Sequence, residues 1–186
     1  QGICDLQNVS DGCLQYDEVQ KRLPENTFIT NNKSIKVKFE KECDISKERF
    51  DKCDKFFNRL FPDPATRKYV FQFIFICLTK EKVKEAIYLF GKHNNGKSVF
   101  LEFLDFFAAN YCFSGGAQLL NDKPDATSLH QTKGCRILLI DECPRRWSSD
   151  TLRKYVGTNK LFGRAIFSSD TTIQFVWKMI IASNYI

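Results

Sequence analysis

The sequence predicts an α/β fold in which a mostly parallel sheet follows a small helical segment. Short apolar runs at 86–90, 135–141 and 173–184 have the length and composition of buried strands. Segments with helical spacing, 98–111 and 151–157, alternate with them. This alternation predicts parallel strands, because a helix between two strands carries the chain back to the starting edge of the sheet.

The first predicted helix lies within residues 44–61. Its apolar side chains recur at helical spacing, and either Asp44 or Ser46 can cap its amino terminus. The apolar positions are Phe50, Cys53, Phe57 and Leu60. This pattern predicts an amphipathic helix with one face turned toward a core.

A second helix is expected within residues 62–78. Asp63 can cap its amino terminus, and Pro64 suits the first helical position, where no backbone N–H is needed. Residues 69–78 are apolar on nearly all sides, so we expect this helix to be buried.

These patterns divide the chain into an N-terminal extension (1–43), a helical lead-in (44–85) and a sheet domain (86–186). In the extension only 31–41, where Ile, Val and Phe alternate with lysines, suggests a short strand or an extended arm. Gln1 stands where a natural chain begins with Met, and the single methionine is Met179. We therefore expect the chain to be an internal piece of a longer protein.

Composition sets the broad class of the protein. The 186 residues are 43% hydrophobic and 14% aromatic, which is a globular composition. A net charge of +6 permits a polyanionic partner without requiring one. Charged residues interrupt every apolar run before it reaches about 18 residues, so no membrane span is expected.

The eight cysteines show no C-x-x-C spacing of the kind that zinc sites use. Several lie inside apolar runs, as at 73–78 and 135–143, where a reduced cysteine behaves as a small hydrophobic residue. We interpret them as reduced thiols of a protein in an intracellular, reducing compartment. The histidines, His93 and His130, have no second ligand nearby in the sequence, so no metal role is assigned to them.

The glycine-rich stretch between the first strand and the next helix has the pattern G-x-x-x-x-G-K-S. Such a loop cradles phosphates with its backbone N–H groups, its lysine reaches the β- and γ-phosphates, and its serine hydroxyl binds Mg²⁺. ATP and Mg²⁺ are therefore the expected cofactors. The predicted phosphate-binding residues are Gly91, Lys92, His93, Asn94, Asn95, Gly96, Lys97 and Ser98, with Lys97 also catalytic and Ser98 also a metal ligand.

Two acidic residues end the second apolar strand, and an asparagine ends the third. Asp141 is expected to hold Mg²⁺ with Ser98, and Glu142 to polarise the attacking water as general base. We expect the strand before Asn184 to lie between the other two, so that its amide can sense the γ-phosphate. Taken alone, Asn184 is also a common turn residue.

These motifs, in this order, resemble superfamily 3 helicases, and among them the poxvirus-type primase-helicase family of large DNA viruses and phages. The resemblance covers about 44–186 and lies in FFNRLFPDPATRKYVFQFIFICLT (56–79), LFGKHNNGKSVFLEFL (89–104), LRKYVGTNKLFGRAIF (152–167) and FVWKMIIASN (175–184). It implies an AAA+-like P-loop NTPase core that drives movement along single-stranded DNA in viral DNA replication, within an infected host cell.

The resemblance also implies a hexameric ring whose central channel holds single-stranded DNA. Lys160 and Arg164 then become the candidate DNA-binding residues, with Lys154 behind them. Family members often have two glycines and an aspartate where this chain has GTN at 157–159, which weakens any role for Asn159. They also place an arginine finger and a last strand beyond the asparagine, so we expect a truncated core that hydrolyses ATP slowly by itself.

Two other functions are compatible with the phosphate-binding loop. A P-loop kinase would transfer phosphate to a small molecule, and a vestigial module would bind no nucleotide at all. Glu142 and Asn184 favour hydrolysis over transfer. The intact Gly96-Lys97-Ser98 and Asp141-Glu142 sequences argue against a vestigial site.

Overall fold

The computed structural model describes residues 46–78, 83–157, 160–164 and 170–185. The predicted strand or arm at 31–41 and the alternative cap Asp44 lie outside these residues. In chain order the helices and strands are α1 (Lys47–Leu60), α2 (Pro64–Leu78), β1 (Ile87–Phe90), α3 (Lys97–Ala108), β2 (Cys112–Gly115), α4 (Ala126–Gln131), β3 (Ile137–Ile140), α5 (Ser149–Gly157), β4 (Lys160–Arg164), β5 (Asp170–Gln174) and β6 (Lys178–Ser183).

The two lead-in helices begin at the predicted caps. The backbone N–H of Arg49 donates to the Ser46 side chain at the start of α1. Asp63 caps α2 by accepting the backbone N–H of Thr66 at 2.7 Å and its hydroxyl at 2.6 Å. Arg67 then reaches back and donates to the Phe61 carbonyl at 2.7 Å, which fixes the corner between the helices.

The prediction that α2 is buried on all sides is wrong. Val70, Phe73 and Cys77 lie in the core, whereas Tyr69 is 46% exposed and Phe71 is 43% exposed. Only one side of α2 meets the rest of the described chain, so the apolar pattern overestimated its burial. The Tyr69 hydroxyl donates to Glu85 at 2.8 Å, which raises the pKa of the phenol.

Four strands form one parallel sheet in the order β1-β6-β3-β2. The strand that ends in the asparagine thus lies between the strands that end in the glycine-rich loop and the acidic pair, as the sequence predicts. All three strands end at the same edge of the sheet. The predicted α/β class with a mostly parallel sheet is confirmed.

The single strand predicted over 173–184 is wrong, because this stretch belongs to two different sheets. β5 pairs antiparallel with β4, and only β6 joins the parallel sheet. Phe175 and Trp177, between the two strands, are buried with their rings stacked at 4.7 Å. Apolar character therefore runs unbroken through 173–184 while the hydrogen-bonding partner changes, and a pattern of apolar residues cannot show that change.

Side chains of β3 and β6 bury both faces of the sheet, because successive residues of a strand point to opposite sides. On one face Leu139 and Ile180 pack against the helical lead-in and α3. On the other face Ile140 and Ile181 pack against the region that follows β2 and against α5. Each large apolar side chain buried in this way stabilises the fold by about 1.5–3 kcal/mol.

Among the described cysteines, Cys53, Cys77, Cys112 and Cys143 are free thiols. Burial raises the pKa of Cys77 to about 12, so its thiol is protonated and unreactive at neutral pH. Among the described helices none is long and apolar enough to cross a membrane.

Candidate active site

A cavity of about 300 Å³ lies at the carboxyl edge of the parallel sheet, where β1, β3 and β6 end. Open α/β sheets bind their ligands at this edge. The lining residues are His93, Asn94, Asn95, Gly96, Lys97, Ser98, Val99, Asp141, Glu142, Ala182, Ser183 and Asn184. The fold therefore brings together the glycine-rich loop, the acidic pair and the asparagine, which the sequence separates by up to about ninety residues.

The loop after β1 has a backbone that requires glycine at Gly96. This residue has φ +88, and a Cβ atom there would lie 2.8 Å from Cδ1 of Leu60 in α1. At Gly91 a Cβ atom would collide with the side-chain amide of Asn95. The glycines thus allow the loop to close on itself and on α1, which supports the reading of this loop as a cradle.

The ammonium group of Lys97 lies over the loop. It donates to the carbonyl oxygens of Gly91 at 2.7 Å and Lys92 at 2.9 Å, and to Oδ1 of Asn95 at 2.9 Å. Gly91 and Lys92 are absent from the cavity lining and contribute these backbone acceptors instead. Lys97 is also the first residue of α3, so its charge adds to the positive end of that helix.

The acidic pair forms a tight turn directly after β3. The Glu142 backbone N–H donates to Oδ1 of Asp141 at 2.8 Å, and Glu142 has φ +51. Few residues other than glycine adopt this left-handed conformation, which costs about 1–3 kcal/mol. Both carboxylates are exposed at the cavity. Because of this turn, both acidic residues line the same cavity. In a continued strand, two successive side chains would point to opposite faces of the sheet.

Oxygen atoms suitable for Mg²⁺ come from Ser98 and Asp141. Both residues line the cavity just described and also a neighbouring cavity of about 390 Å³ between α3 and β2. Mg²⁺ prefers hard oxygen ligands and keeps several waters or phosphate oxygens, so one hydroxyl and one carboxylate suffice. Among the described residues no group of three or more His, Cys, Asp or Glu could hold a metal by itself. The donor set therefore fits Mg²⁺ bound together with a nucleotide.

Ser183 belongs to the site and was missed by the sequence analysis. It lines the cavity, is only 1% exposed, and donates its hydroxyl to the Cys143 carbonyl at 2.8 Å. The sequence does contain a signal for this residue, because the serine ends the apolar run MIIAS directly before Asn184. A serine that is buried in such a run needs a hydrogen-bonding partner.

The candidate DNA-binding residues lie in the β4–β5 pair and on α5. Lys160 and Arg164 are the first and last residues of β4, in the two-stranded sheet with β5. In register, Lys160 stands opposite Gln174, and Arg164 stands opposite Asp170. Lys154, the third candidate, is exposed on α5. Lys154 is absent from the cavity lining.

Comparison with known proteins finds a sequence similarity to a viral protein. Over 149 residues the chain is 26% identical to a protein of Acanthamoeba polyphaga mimivirus named as a putative helicase. The match covers 76% of this chain and 15% of the mimivirus protein, so the chain spans a small part of its relative. No protein-family profile matches the chain.

Comparison with solved structures gives the same kind of fold. Two apo structures of the C-terminal region of NrS-1 align with TM-scores of 0.59 and 0.57, at 19% and 20% sequence identity. The alignments cover 70% and 71% of this chain and 32% and 33% of the NrS-1 chains. At these identities the likeness concerns the fold alone, and it agrees with an α/β sheet of the P-loop NTPase type.

Proposed function

We propose that this chain is the nucleotide-binding part of an ATP-dependent DNA helicase of the superfamily 3 type, which acts in viral DNA replication. The observation that carries the proposal is the single cavity that gathers Lys97, Ser98, Asp141, Glu142 and Asn184 at the carboxyl edge of a parallel sheet. The similarity to a mimivirus protein named as a putative helicase supports the same reading.

Each residue of the cavity has a role in this proposal. Lys97 exchanges its loop acceptors for the β- and γ-phosphate oxygens of ATP, which are stronger acceptors because they are charged. Ser98 and Asp141 would hold Mg²⁺, which would supply positive charge beside the reacting phosphate. Glu142 takes a proton from the attacking water, and the Asn184 amide orients that water.

Hydrolysis in this proposal drives movement along single-stranded DNA, with Lys160 and Arg164 neutralising DNA phosphates. The full protein would act as a homo-hexamer, in which neighbouring subunits complete each other's sites. The chain spans only 15% of its mimivirus relative, so residues outside it would contribute to the ring and to catalysis. The 186 residues alone are therefore expected to bind ATP and to hydrolyse it slowly.

The test of the nucleotide site is a Lys97→Ala substitution. We expect affinity for a fluorescent ATP analogue with Mg²⁺ to fall at least tenfold, because a charge-assisted contact to phosphate is lost. Single-turnover hydrolysis of labelled ATP should fall by a larger factor, about a hundredfold or more, because this contact strengthens in the transition state. Circular dichroism checks that the fold is kept.

Lys133→Ala is the matched control, since Lys133 is exposed and lies outside the cavity. It should leave binding and hydrolysis unchanged. Unchanged ATP binding by Lys97→Ala would contradict the assignment of the loop. If the chain bound ATP but released no inorganic phosphate, with or without single-stranded DNA, and instead phosphorylated a small acceptor, the kinase alternative would replace the helicase.

A further inference from the structure

Ser183 connects the two polar segments that border the cavity, and we propose that it is a positioning residue for ATP hydrolysis. Its hydroxyl sets the position of the Glu142 turn and of Asn184 relative to each other. This inference rests on the proposed function, in which Glu142 and Asn184 act on the same water.

The Glu142 turn depends on contacts from β6. Its left-handed backbone, φ +51, persists only where the surrounding structure holds it. The next residue, Cys143, is held through both of its backbone groups. Its N–H donates to the Ala182 carbonyl at 2.9 Å, and its carbonyl accepts from the Ser183 hydroxyl at 2.8 Å. Both contacts lie beyond the last paired residues of β3 and β6, Ile140 and Ile181, where the two strands separate.

The same hydroxyl also holds the segment that contains Asn184. The hydroxyl oxygen of Ser183 accepts a hydrogen bond from the backbone N–H of Tyr185 at 3.0 Å. Asn184 therefore lies between two residues that are bonded to each other. Such a bond from a side chain to the backbone two residues later closes a compact turn. Ser183 is thus a buried hydroxyl with one donor bond and one acceptor bond, each to a different side of the cavity.

The opposite side of this segment is tied to β1. The Tyr88 hydroxyl donates to the Tyr185 carbonyl at 2.6 Å, and Tyr88 belongs to the strand that runs into the phosphate-binding loop. Asn184 therefore lies in a segment that is anchored to the acidic turn by Ser183 and to β1 by Tyr88. Loss of the Ser183 hydroxyl would leave the Glu142 turn held to this segment by the Cys143–Ala182 backbone bond alone, while the connection to β1 remains.

The first experiment needs no nucleotide. Amide hydrogen exchange is measured by NMR in the chain, in Ser183→Ala, and in the control Thr132→Ala. Thr132 is also a fully buried hydroxyl with two bonds, from Trp177 Nε1 at 2.9 Å and to the Leu129 carbonyl at 2.7 Å, but it lies outside the cavity. We expect faster exchange at Glu142, Cys143 and Tyr185 in Ser183→Ala only.

The second experiment separates positioning from binding. Ser183→Ala should lower the single-turnover rate of ATP hydrolysis by roughly ten- to a hundredfold, the range typical of partners that orient reactive groups. Its affinity for a fluorescent ATP analogue should change less than about threefold. Ser183→Thr, which keeps the hydroxyl, should restore most of the rate, and Thr132→Ala should keep it.

The outcomes separate the two proposals. If faster exchange in Ser183→Ala is confined to Tyr185, the hydroxyl only closes a local turn, and the coupling is overturned even if ATP is hydrolysed. Equal loss of rate in Ser183→Ala and Thr132→Ala would overturn it as well, because general instability would then explain the loss. If the unsubstituted chain does not bind ATP, the proposed function fails, and the exchange data still decide the coupling.

Discussion

At the scale of single residues, the site depends on a few backbone conformations that residues other than glycine rarely adopt. Gly96 and Glu142 both have positive φ, at +88 and +51, and both border the same cavity. At Gly96 the absence of a side chain removes the strain, whereas Glu142 keeps its carboxylate and bears the strain. A strained residue that keeps a chemically active side chain is typical of functional sites.

Gly96→Ala is expected to destabilise the fold by about 1–2 kcal/mol from the backbone conformation, and further through the contact with Leu60. It should also weaken binding of the ATP analogue, because the loop must shift. The measurement is urea unfolding followed by circular dichroism, together with a binding titration.

Gly157→Ala is the matched control for this substitution. A Cβ atom at Gly157, the last residue of α5, meets nothing within 4 Å. We expect its stability to stay within about 0.5 kcal/mol of the unsubstituted chain, as for other surface changes. Equal effects at both glycines would contradict the role given to the Gly96 conformation.

At the scale of elements, the parallel sheet creates the site by aligning three strand ends. β6 lies between β1 and β3 in the sheet. Asn184 therefore comes close to Asp141 and Glu142, although these residues are far apart in the sequence. The helices fix this arrangement from outside, since α1 reaches the loop through Leu60 and α2 continues the same core. The caps that start these helices therefore support the site indirectly.

Asp63→Ala should destabilise the chain in a pH-dependent way. Hydrogen bonds from Thr66 lower the pKa of the Asp63 carboxyl below its ordinary value of 3.8. The ionised cap is thus more stable in the folded chain, so its contribution is complete above about pH 4 and fades as pH falls through the lowered pKa. The melting temperatures of the two proteins should differ at pH 7 and converge as the pH falls below 3.8.

Asp122→Ala is the control for this experiment, because Asp122 is an exposed loop aspartate that caps no helix. Its melting temperature should follow that of the unsubstituted chain at every pH. A constant difference between Asp63→Ala and the unsubstituted chain down to pH 2 would show that the ionised cap is not the source of the stability.

At the scale of the whole molecule, the candidate nucleotide site and the candidate DNA-binding strand lie on separate sheets. The parallel sheet carries the cavity, and the β4–β5 pair carries Lys160 and Arg164. This separation predicts that DNA binding and ATP binding can be changed independently. It also predicts that the two candidate cations differ, since Arg164 stands opposite Asp170 and Lys160 stands opposite uncharged Gln174.

Lys160→Ala should therefore weaken binding to single-stranded DNA more than Arg164→Ala does. The double substitution should reduce the slope of log affinity against log salt concentration by on the order of 1.4, at about 0.7 per phosphate contact. Fluorescence anisotropy with labelled oligonucleotides at several salt concentrations measures this. ATP analogue binding should stay unchanged in each variant.

Lys68→Ala serves as the control cation, because Lys68 is exposed on α2, in the helical lead-in and outside the β4–β5 pair. The same slope in the double variant as in the unsubstituted chain would contradict the proposed DNA contact. A larger effect of Arg164→Ala than of Lys160→Ala would contradict the reading of the β4–β5 register.

Local chemistry explains how much of this protein could be predicted from its sequence. The glycine-rich loop, the acidic pair and the helix caps each depend on neighbours within a few residues, so Ser46, Asp63 and Gly96 could be assigned from their surroundings in the chain. The presence of the strands could be predicted because the apolar runs have the length of buried strands. These features need no knowledge of distant contacts.

Only the tertiary structure decided where these pieces meet. The break between β5 and β6 and the exposed side of α2 depend on which other elements pack against them. The hydrogen bond from Ser183 to Cys143 joins residues that are 40 apart in sequence. An apolar run does not show which strand it will pair with, because a buried strand has the same apolar composition in either sheet. The sequence by itself thus determined the reactive groups, and the packing of the sheet decided that they share one cavity.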